Sequence, residues 1–396
     1  MSKLLITGGR VLTQERELDG GAVSVENGII TGVYETPRPA QPGETVVDAR
    51  GLYVSPGFID IHVHGGGGFD FMSGEKEQVI GCCRTHLRHG TTTIVPTLCT
   101  AAYDSFVRAM SAIDAAAAAM EHGPYIPGIH LEGPYFAPSQ AGAQSPEFLR
   151  RPDPDEYLAI VERFPSVMRW AAAPELPGAL EMGRALTARG VRMSMGHSDA
   201  TFDEALRAYE CGYTCVTHLY SACSSVRRIN AYRHAGIVEA AFLLDGMTVE
   251  IIADGKHLPE SLLRLIYKIK GPDRICLITD GISAAGLENV SGEIYDQSIH
   301  SKIIIEDQVA KMPDRSCFAG SVATTDRLVR TMHSLARVPM AEAVKMASAT
   351  PARHLNIFDK KGSIAVGKDA DLLLFDDDVR IRRVLVRGET VEDESL

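Results

Sequence analysis

The stretch "FIDIHVHGGGGFDFM", residues 58–72, alternates apolar and polar side chains and then runs into four consecutive glycines. Alternation with a period of two is typical of a β-strand, so Asp60, His62 and His64 share one of its faces. Two imidazoles on one strand face form a chelating pair suited to Zn²⁺ or a similar divalent ion. The glycines allow the backbone to pass close to a ligand. Two ordinary strand histidines would give the same pattern, so the remaining strand ends decide between the two interpretations.

Through the middle of the 396-residue chain, apolar β-type runs alternate with helical stretches. We place eight strands, which end at "GFIDIHVH", "TTTIVPT", "IPGIHLEGP", "RWAAAPE", "VRMSMGHSD", "TCVTHLY", "VEIIADGKH" and "RICLITDG". Eight parallel strands, each followed by a helix, close a (β/α)8 barrel, also called a TIM barrel. A doubly wound open sheet is the weaker alternative because no GxGxxG motif follows the first strand. We also expect a hairpin around "KIIIEDQ", between the eighth strand and its helix.

Both ends of the chain contain short β-type runs separated by turns, such as "KLLITGG" near the start and "GSIAVGKDADLLLFDDD" near the end. Neither end has enough strands to form a comfortable sheet alone. We therefore predict a small β-sandwich domain built from residues 1–54 and 357–396, and a catalytic barrel domain over residues 55–356. This arrangement requires the two ends of the chain to meet in space.

Composition and charge exclude several classes of function. The chain has 51 acidic and 40 basic residues, a formal net charge of -11, whereas a non-specific nucleic-acid binder needs a broad basic face. Its eight cysteines form no CxxC pair, which is typical of thiols in a reducing compartment. The segment "MSKLLITGGR" offers neither a signal-peptide core nor a membrane span. We expect a cytoplasmic protein that binds neither nucleic acid nor membrane.

Polar side chains occur at the ends of most predicted strands, which is where a barrel carries its active site. In chain order they are His62, His64, His130, Glu132, His197, His218, His257 and Asp280. Each of them alone has an ordinary explanation as a surface charge, a hydrogen-bonded core histidine or a helix cap. Their joint occurrence at one rim favours a metal-dependent active site.

Several segments together resemble the amidohydrolase superfamily and, within it, the N-acetylglucosamine-6-phosphate deacetylases. They are "PGFIDIHVHG", "HLEGPYF", "GHSDA", "THLY", "IIADGKHLP", "LITDGISAAG", "FAGS" and "GSIAVGKDADLLLFD", in the same order over nearly the whole chain. The resemblance implies a hydrolase that removes the acetyl group from an amino-sugar phosphate. Relatives with a carboxylated lysine on strand four are less similar, because "RWAAAPE" has alanines there.

The resemblance also implies which residues hold metal. Glu132, His197 and His218 correspond to the ligands of the principal divalent ion. His62 and His64 correspond to the ligands of a second ion, bridged to the first through Glu132. We expect one or two ions per subunit, with Zn²⁺ as the metal and Fe²⁺ or another divalent ion as alternatives.

Catalytic and substrate-binding roles follow from the same resemblance. Asp280 would take a proton from water and pass it to the leaving amine, and His257 would contact the substrate and stabilise the developing oxyanion. The residues implied to line the sugar pocket are Ala143, Gln144, Ser221, Ala222, Asp254, His257, Phe318, Ala319 and Gly320.

The match is less regular where the substrate would carry its phosphate. Family members hold the phosphate with an arginine from a neighbouring subunit, which corresponds to Arg233 and implies a homodimer. This chain has Ser221 where the family usually has Asn, and Gln144 where it usually has His. Glutamine can donate a hydrogen bond but cannot carry a proton. Deacetylation is therefore better defined by the sequence than the identity of the amino sugar.

Two other functions remain open. One is a deacetylase of the same fold that acts on a different N-acyl amino sugar or on an N-acyl amino acid, which assays with and without the phosphate would separate. The other is a metal-free barrel that serves as an assembly scaffold. The complete set of strand-end ligands disfavours the scaffold, and metal analysis would test it.

Overall fold

The computed structural model describes residues 3–393 of the chain. Its first twelve strands are β1 (Lys3–Leu12), β2 (Glu17–Glu26), β3 (Ile29–Tyr34), β4 (Glu44–Asp48), β5 (Tyr53–Pro56), β6 (Phe58–Val63), β7 (Gly65–Gly66), β8 (Phe69–Asp70), β9 (Thr91–Leu98), β10 (Ile129–Glu132), β11 (Val167–Ala172) and β12 (Arg192–Met195). The others are β13 (Tyr213–Val216), β14 (Arg227–Ile229), β15 (Tyr232–His234), β16 (Thr248–Ile251), β17 (Ile275–Leu277), β18 (Gly292–Asp296), β19 (Ser301–Glu306), β20 (Val309–Lys311), β21 (Leu372–Phe375), β22 (Ile381–Val386) and β23 (Glu389–Asp393).

The helices are α1 (Lys76–Arg88), α2 (Tyr103–Ala119), α3 (Pro154–Arg163), α4 (Ala179–Thr187), α5 (Phe202–Glu210), α6 (Ile237–Leu243), α7 (Glu260–Lys270), α8 (Thr325–Ser334), α9 (Met340–Met346) and α10 (Ala349–His354). Three short 3-10 helices cover Phe71–Ser73, Pro138–Gln140 and Pro146–Phe148. None of the helices within residues 3–393 is both long and apolar enough to cross a membrane.

Eight strands form one parallel sheet in the order β6, β9, β10, β11, β12, β13, β16, β17. The two end strands of this order approach each other, because the backbone N–H of Asp280 donates to the carbonyl of His62 at 2.9 Å. The side chain of Thr279 also donates to Asp60 at 2.5 Å. The sheet is therefore a nearly closed barrel, and the predicted TIM-barrel fold is confirmed.

The barrel strands are buried along nearly their whole length, as is typical of a parallel sheet covered by helices. All eight residues of β9 are buried, for example. Helices α1 to α8 alternate with the barrel strands, as the sequence pattern predicts, and side chains cap the starts of α3 and α5. In α5 the Thr201 side chain accepts the backbone N–H of Glu204, whose carboxylate accepts the backbone N–H of Thr201. Helices α9 and α10 lie beyond the predicted pattern, and Ala352 of α10 packs with Ile59 and Ile61.

The two ends of the chain share a second sheet, in the order β23, β22, β21, β5, β1, β2, β3, with β4 also paired to β1. The join is the antiparallel pairing of β5 with β21, in which Val54 lies opposite Leu374. Both side chains lie in an apolar cluster that also contains Ile6, Val23 and Leu385. The expected small β-domain built from both ends is therefore present. The boundaries 1–54, 55–356 and 357–396 stay a prediction.

A three-stranded antiparallel sheet, β18 to β20, is inserted between β17 and α8. It confirms the hairpin expected around "KIIIEDQ". Ile303, Ile305 and Ala310 of this insertion pack with Ile282 and Ala319 in a separate apolar cluster. Because Ile282 lies in the loop that follows β17, this packing holds the insertion against the carboxyl end of the barrel.

Candidate active site

Three predicted metal ligands meet at the carboxyl end of the barrel. Glu132 is the last residue of β10, and His197 and His218 each follow the end of their strand by two residues. Oε1 of Glu132 lies 3.3 Å from Nε2 of His197 and 2.9 Å from Nε2 of His218. The three donors lie close enough together to hold one cation.

The hydrogen bonds behind these imidazoles fix which nitrogen faces the site. Nδ1 of His197 lies 2.8 Å from the carbonyl oxygen of Gln140, and Nδ1 of His218 lies 3.1 Å from that of Ser221. A carbonyl oxygen only accepts, so both Nδ1 atoms carry a hydrogen and both Nε2 atoms face Glu132. One carboxylate and two imidazoles whose Nε2 atoms could bind a cation in the neutral form are a donor set that fits a divalent ion such as Zn²⁺.

The backbone is strained at three of these strand ends. His197, His218 and Asp280 have φ values of 47°, 26° and 47°. Residues other than glycine rarely adopt this left-handed region, and such strain persists where the surrounding structure holds it. Its recurrence at three strand ends of the rim is typical of a site where the placement of side chains matters more than local stability.

His62 and His64 lie on the other side of the same carboxylate. Nε2 of His62 is 3.4 Å from Oε1 of Glu132, and Nε2 of His64 is 3.4 Å from Oε2. These three residues form a second group with the spacing of metal ligands. Burial raises the pKa of Glu132, but His62, His197 and His218 together bring the pKa well below its ordinary value. Glu132 is therefore ionised and lies between both groups.

Asp280 lies next to the second group. Its Oδ1 is 3.1 Å from Nε2 of His64 and 3.5 Å from Nε2 of His62. Burial raises the pKa of Asp280, whereas His64 and His62 lower it, with a net downward shift. An ionised carboxylate at the rim can accept a proton at neutral pH.

His257 is held by the loop that follows β16. Nδ1 of His257 lies 2.8 Å from Oδ2 of Asp254, whose Oδ1 accepts the backbone N–H of Lys256 and that of His257, both at 2.8 Å. Burial raises the pKa of Asp254, but the hydrogen bond from His257 brings it below the ordinary value. The His257 ring centre is 4.5 Å from that of Phe318. Asp254 therefore supports His257 from behind and does not itself line the cavity.

A cavity of about 760 Å³ opens above these groups. The predicted residues that line it are His64, Glu132, Ala143, Gln144, His197, His218, Ser221, Ala222, His257, Asp280, Phe318, Ala319 and Gly320. His62 is fully buried beneath it. A cavity of this size holds a small molecule with several polar contacts.

Gln144 contacts the metal site more closely than the sequence suggested. Its Nε2 donates to Oε2 of Glu132 at 2.7 Å, and its Oε1 accepts the backbone N–H of Thr100 at 2.9 Å. Both ends of the amide are therefore engaged, and the side chain orients the carboxylate as well as lining the cavity.

Arg233 is not brought to this cavity in the single chain. It lies on the exposed hairpin of β14 and β15, where its guanidinium donates to the carbonyl of Ala231 at 3.3 Å. The cavity is instead lined by two basic residues that the sequence analysis missed, Lys311 and Arg315. The sequence predicted only the hairpin around "KIIIEDQ" in this region. A lysine and an arginine in a loop form no pattern from which a position in the cavity could be predicted.

The chain belongs to the amidohydrolase family, whose model matches residues 53–391. An N-acetylglucosamine-6-phosphate deacetylase of Bacillus subtilis (strain 168) is 31% identical over 390 residues, covering 97% of this chain and 96% of that protein. An N-acetylgalactosamine-6-phosphate deacetylase of Shewanella sp. (strain ANA-3) is 32% identical, covering 98% of this chain and 95% of that protein.

A solved structure agrees with these sequence relatives. A mutant N-acetyl-D-glucosamine-6-phosphate deacetylase of Mycobacterium smegmatis, in complex with N-acetyl-D-glucosamine-6-phosphate, superposes with a TM-score of 0.90 at 31% identity. The alignment covers 99% of this chain and 100% of that one. The likeness therefore includes both the barrel and the small domain.

Proposed function

We propose that the protein hydrolyses the acetamide of N-acetyl-D-glucosamine 6-phosphate to give glucosamine 6-phosphate and acetate. The observation that carries this proposal is the convergence of Glu132, His197 and His218, with Asp280, on the floor of a cavity sized for a sugar. The names of the relatives support the substrate.

The residues that would hold the principal divalent ion are Glu132, His197 and His218, and His62 and His64 would hold a second one. Zn²⁺ is the proposed metal because imidazole and carboxylate donors suit it, with Fe²⁺ as an alternative. A divalent ion bound here would supply an activated water at neutral pH and polarise the amide carbonyl.

Asp280 is the proposed proton carrier. Its carboxylate takes a proton from the attacking water as the new C–O bond forms, and it delivers that proton to nitrogen as the C–N bond breaks. Nε2 of His64 lies 3.1 Å from this carboxylate, so Asp280 is next to the proposed metal group. The acetyl group then leaves as acetate and the sugar as its amine.

His257 is proposed to contact the substrate carbonyl or the sugar and to stabilise the oxyanion that develops during attack. Asp254 fixes its ring through the 2.8 Å contact at Nδ1, so the opposite nitrogen is free to face the cavity. The remaining lining residues, Ala143, Gln144, Ser221, Ala222 and Phe318 to Gly320, would surround the sugar.

We further propose a cytoplasmic homodimer in which Arg233 of one subunit reaches the site of the other. The exposed hairpin that carries Arg233 also exposes Ile229 and Tyr232, the latter at 75%, which suits a contact with a second copy. All eight cysteines lie within residues 3–393 and are free, as a reducing compartment allows.

N-Acetylgalactosamine 6-phosphate is the second candidate substrate, because relatives of that name are as similar as those named for the glucosamine compound. Acetate release should be measured on both 6-phosphates, on unphosphorylated N-acetylglucosamine and on an N-acetyl amino acid, with the metal content of the same preparation determined. We expect the highest kcat/KM on the glucosamine 6-phosphate. A higher kcat/KM on the galactosamine compound would make N-acetylgalactosamine 6-phosphate the preferred substrate. Turnover of the N-acetyl amino acid alone would reject both sugar phosphates.

A further inference from the structure

Two cations face the proposed catalytic cavity from the insertion of β18 to β20. Lys311 is the last residue of β20, and Arg315 lies in the turn that follows. They are the only lysine or arginine among the described residues that line this cavity. Lys311 pairs through the backbone with Phe318, whose ring contacts His257, so the two cations belong to the wall that carries residues of the proposed sugar site.

Carboxylates that line the cavity oppose the binding of a phosphate, so cationic side chains matter there if the substrate carries one. Glu132, Asp280 and Asp296 also line the cavity, and all three would repel a phosphate dianion. A divalent ion would offset this repulsion only at the Glu132 end, where the acetamide reacts. A cationic group elsewhere on the wall would favour binding of the opposite end of the substrate, and Lys311 and Arg315 are the basic side chains of the same subunit that line the cavity.

Glu306 orients both side chains from behind. Its Oε1 lies 2.9 Å from Nζ of Lys311 and 2.9 Å from Nε of Arg315, and its Oε2 lies 3.2 Å from Nη2 of Arg315. Arg315 makes no hydrogen bond through Nη1 to any residue within 3–393. The ammonium group of Lys311 has only one further acceptor in that range, Oδ2 of Asp307 at 3.2 Å, and the Asp307 side chain is 73% exposed. Donors of both cations therefore remain available to an anion.

We propose that Lys311 and Arg315 bind the phosphate group of the substrate from within the same subunit. This rests on the proposed function, and it names the residues that would make that site selective for phosphorylated amino sugars. Arginine offers a planar fork to two phosphate oxygens and lysine offers a compact charge. Arg233 of a second subunit would then add to a phosphate site that this chain already contains.

The test compares the Lys311→Met/Arg315→Met double variant with wild type on N-acetylglucosamine 6-phosphate and on N-acetylglucosamine. We expect kcat/KM for the phosphorylated sugar to fall roughly 10- to 100-fold, as for the loss of charged hydrogen bonds, with no comparable fall for the unphosphorylated one. Lys302→Met is the matched control, because Lys302 lies on the same insertion, pairs with Glu293 and does not line the cavity. An unchanged preference for the phosphorylated sugar in the double variant would overturn the proposal.

Titration of inorganic phosphate by calorimetry separates this proposal from the proposed function. Binding to wild type and to Lys302→Met, with loss in the double variant, would support the anion site even if no sugar is turned over. Equal binding by wild type and the double variant would reject it. Loss of phosphate preference in Arg233→Met alone, with the double variant unaffected, would also reject it, because the phosphate would then be held by the second subunit.

Discussion

Nδ1 of His62 lies 3.0 Å from Oε2 of Glu250, a fully buried carboxylate on β16. Burial raises the pKa of Glu250, but the guanidinium of Arg169 on β11 and the His62 ring bring it well below its ordinary value. The carboxylate is therefore an acceptor, so Nδ1 of His62 carries a hydrogen and Nε2 is the nitrogen that faces the metal site. Arg169 also donates to the carbonyl of Ile61 and contacts Glu250 directly. Arg169 and Glu250 therefore orient His62, a proposed metal ligand, from beneath the site.

Glu250→Gln should weaken metal binding at the His62/His64 group by about 10- to 100-fold, as for other partners behind metal-ligating histidines. It should also lower the free energy of unfolding by roughly 3 to 5 kcal/mol, because Arg169 is left as an unpaired buried charge. Metal titration of chelated protein, followed by elemental analysis, and urea unfolding measure the two effects. Glu260→Gln, at the partly exposed start of α7, is the control.

The double variant Arg169→Met/Glu250→Gln separates positioning from stability. Removal of both charges should recover part of the lost unfolding free energy, because no buried charge is left alone. Metal affinity should stay low, since the carboxylate partner of His62 is still missing. If metal affinity returns together with stability, Glu250 is a structural residue only.

Asp280→Asn should leave metal content close to that of wild type and reduce kcat by roughly 10²- to 10⁴-fold, the usual contribution of a positioned acid or base. The amide keeps the size of the side chain but cannot take a proton at neutral pH. Steady-state kinetics and elemental analysis on the same sample provide the measurement. Full activity in this variant would remove Asp280 from the proposed proton path.

Removal of the metal should abolish turnover reversibly. Dialysis against a chelator is expected to eliminate acetate release, and added Zn²⁺ or Fe²⁺ should restore it in wild type. In Glu132→Gln the same additions should fail, because the carboxylate shared by both ligand groups is lost. Turnover that persists in fully chelated protein would contradict a metal-dependent reaction.

Asp70→Asn should stabilise the protein at alkaline pH. Burial, with Asp296 nearby, raises the pKa of Asp70 to about 7, above the unfolded value of about 3.9. The folded chain therefore bears an unfavourable ionised carboxylate above pH 7, and this penalty fades as the pH falls towards 3.9. The variant keeps the oxygen that accepts the backbone N–H of Met72.

We expect the Asp70→Asn variant to gain roughly 2 to 4 kcal/mol in unfolding free energy at pH 8, and clearly less at pH 5. Urea unfolding at both values measures it, with Asp19→Asn on the exposed part of β2 as the control. A gain that does not change between pH 8 and pH 5 would show that the ionisation of Asp70 is not its cause.

Residues at strand ends could be predicted from sequence because their pattern is local. His62, His64, Glu132, His197, His218 and Asp280 each follow an apolar run that ends in a short polar segment, and a parallel barrel brings all such ends to one rim. The structure places these six together. Contacts made inside the barrel have no such local pattern. In the sequence, Arg169 and Glu250 are isolated charges within two apolar strands. Such charges ordinarily indicate a surface position.

The sequence by itself determined the barrel, its partner domain and the type of chemistry at the rim, because the period of the strands and the order of their polar ends are properties of the chain alone. Only the tertiary structure decided that Gln144 holds Glu132, that Glu250 holds His62, and that Lys311 and Arg315 face the cavity while Arg233 does not. These relationships join residues up to 188 positions apart, so they exist only once the barrel has closed and the insertion has packed against it.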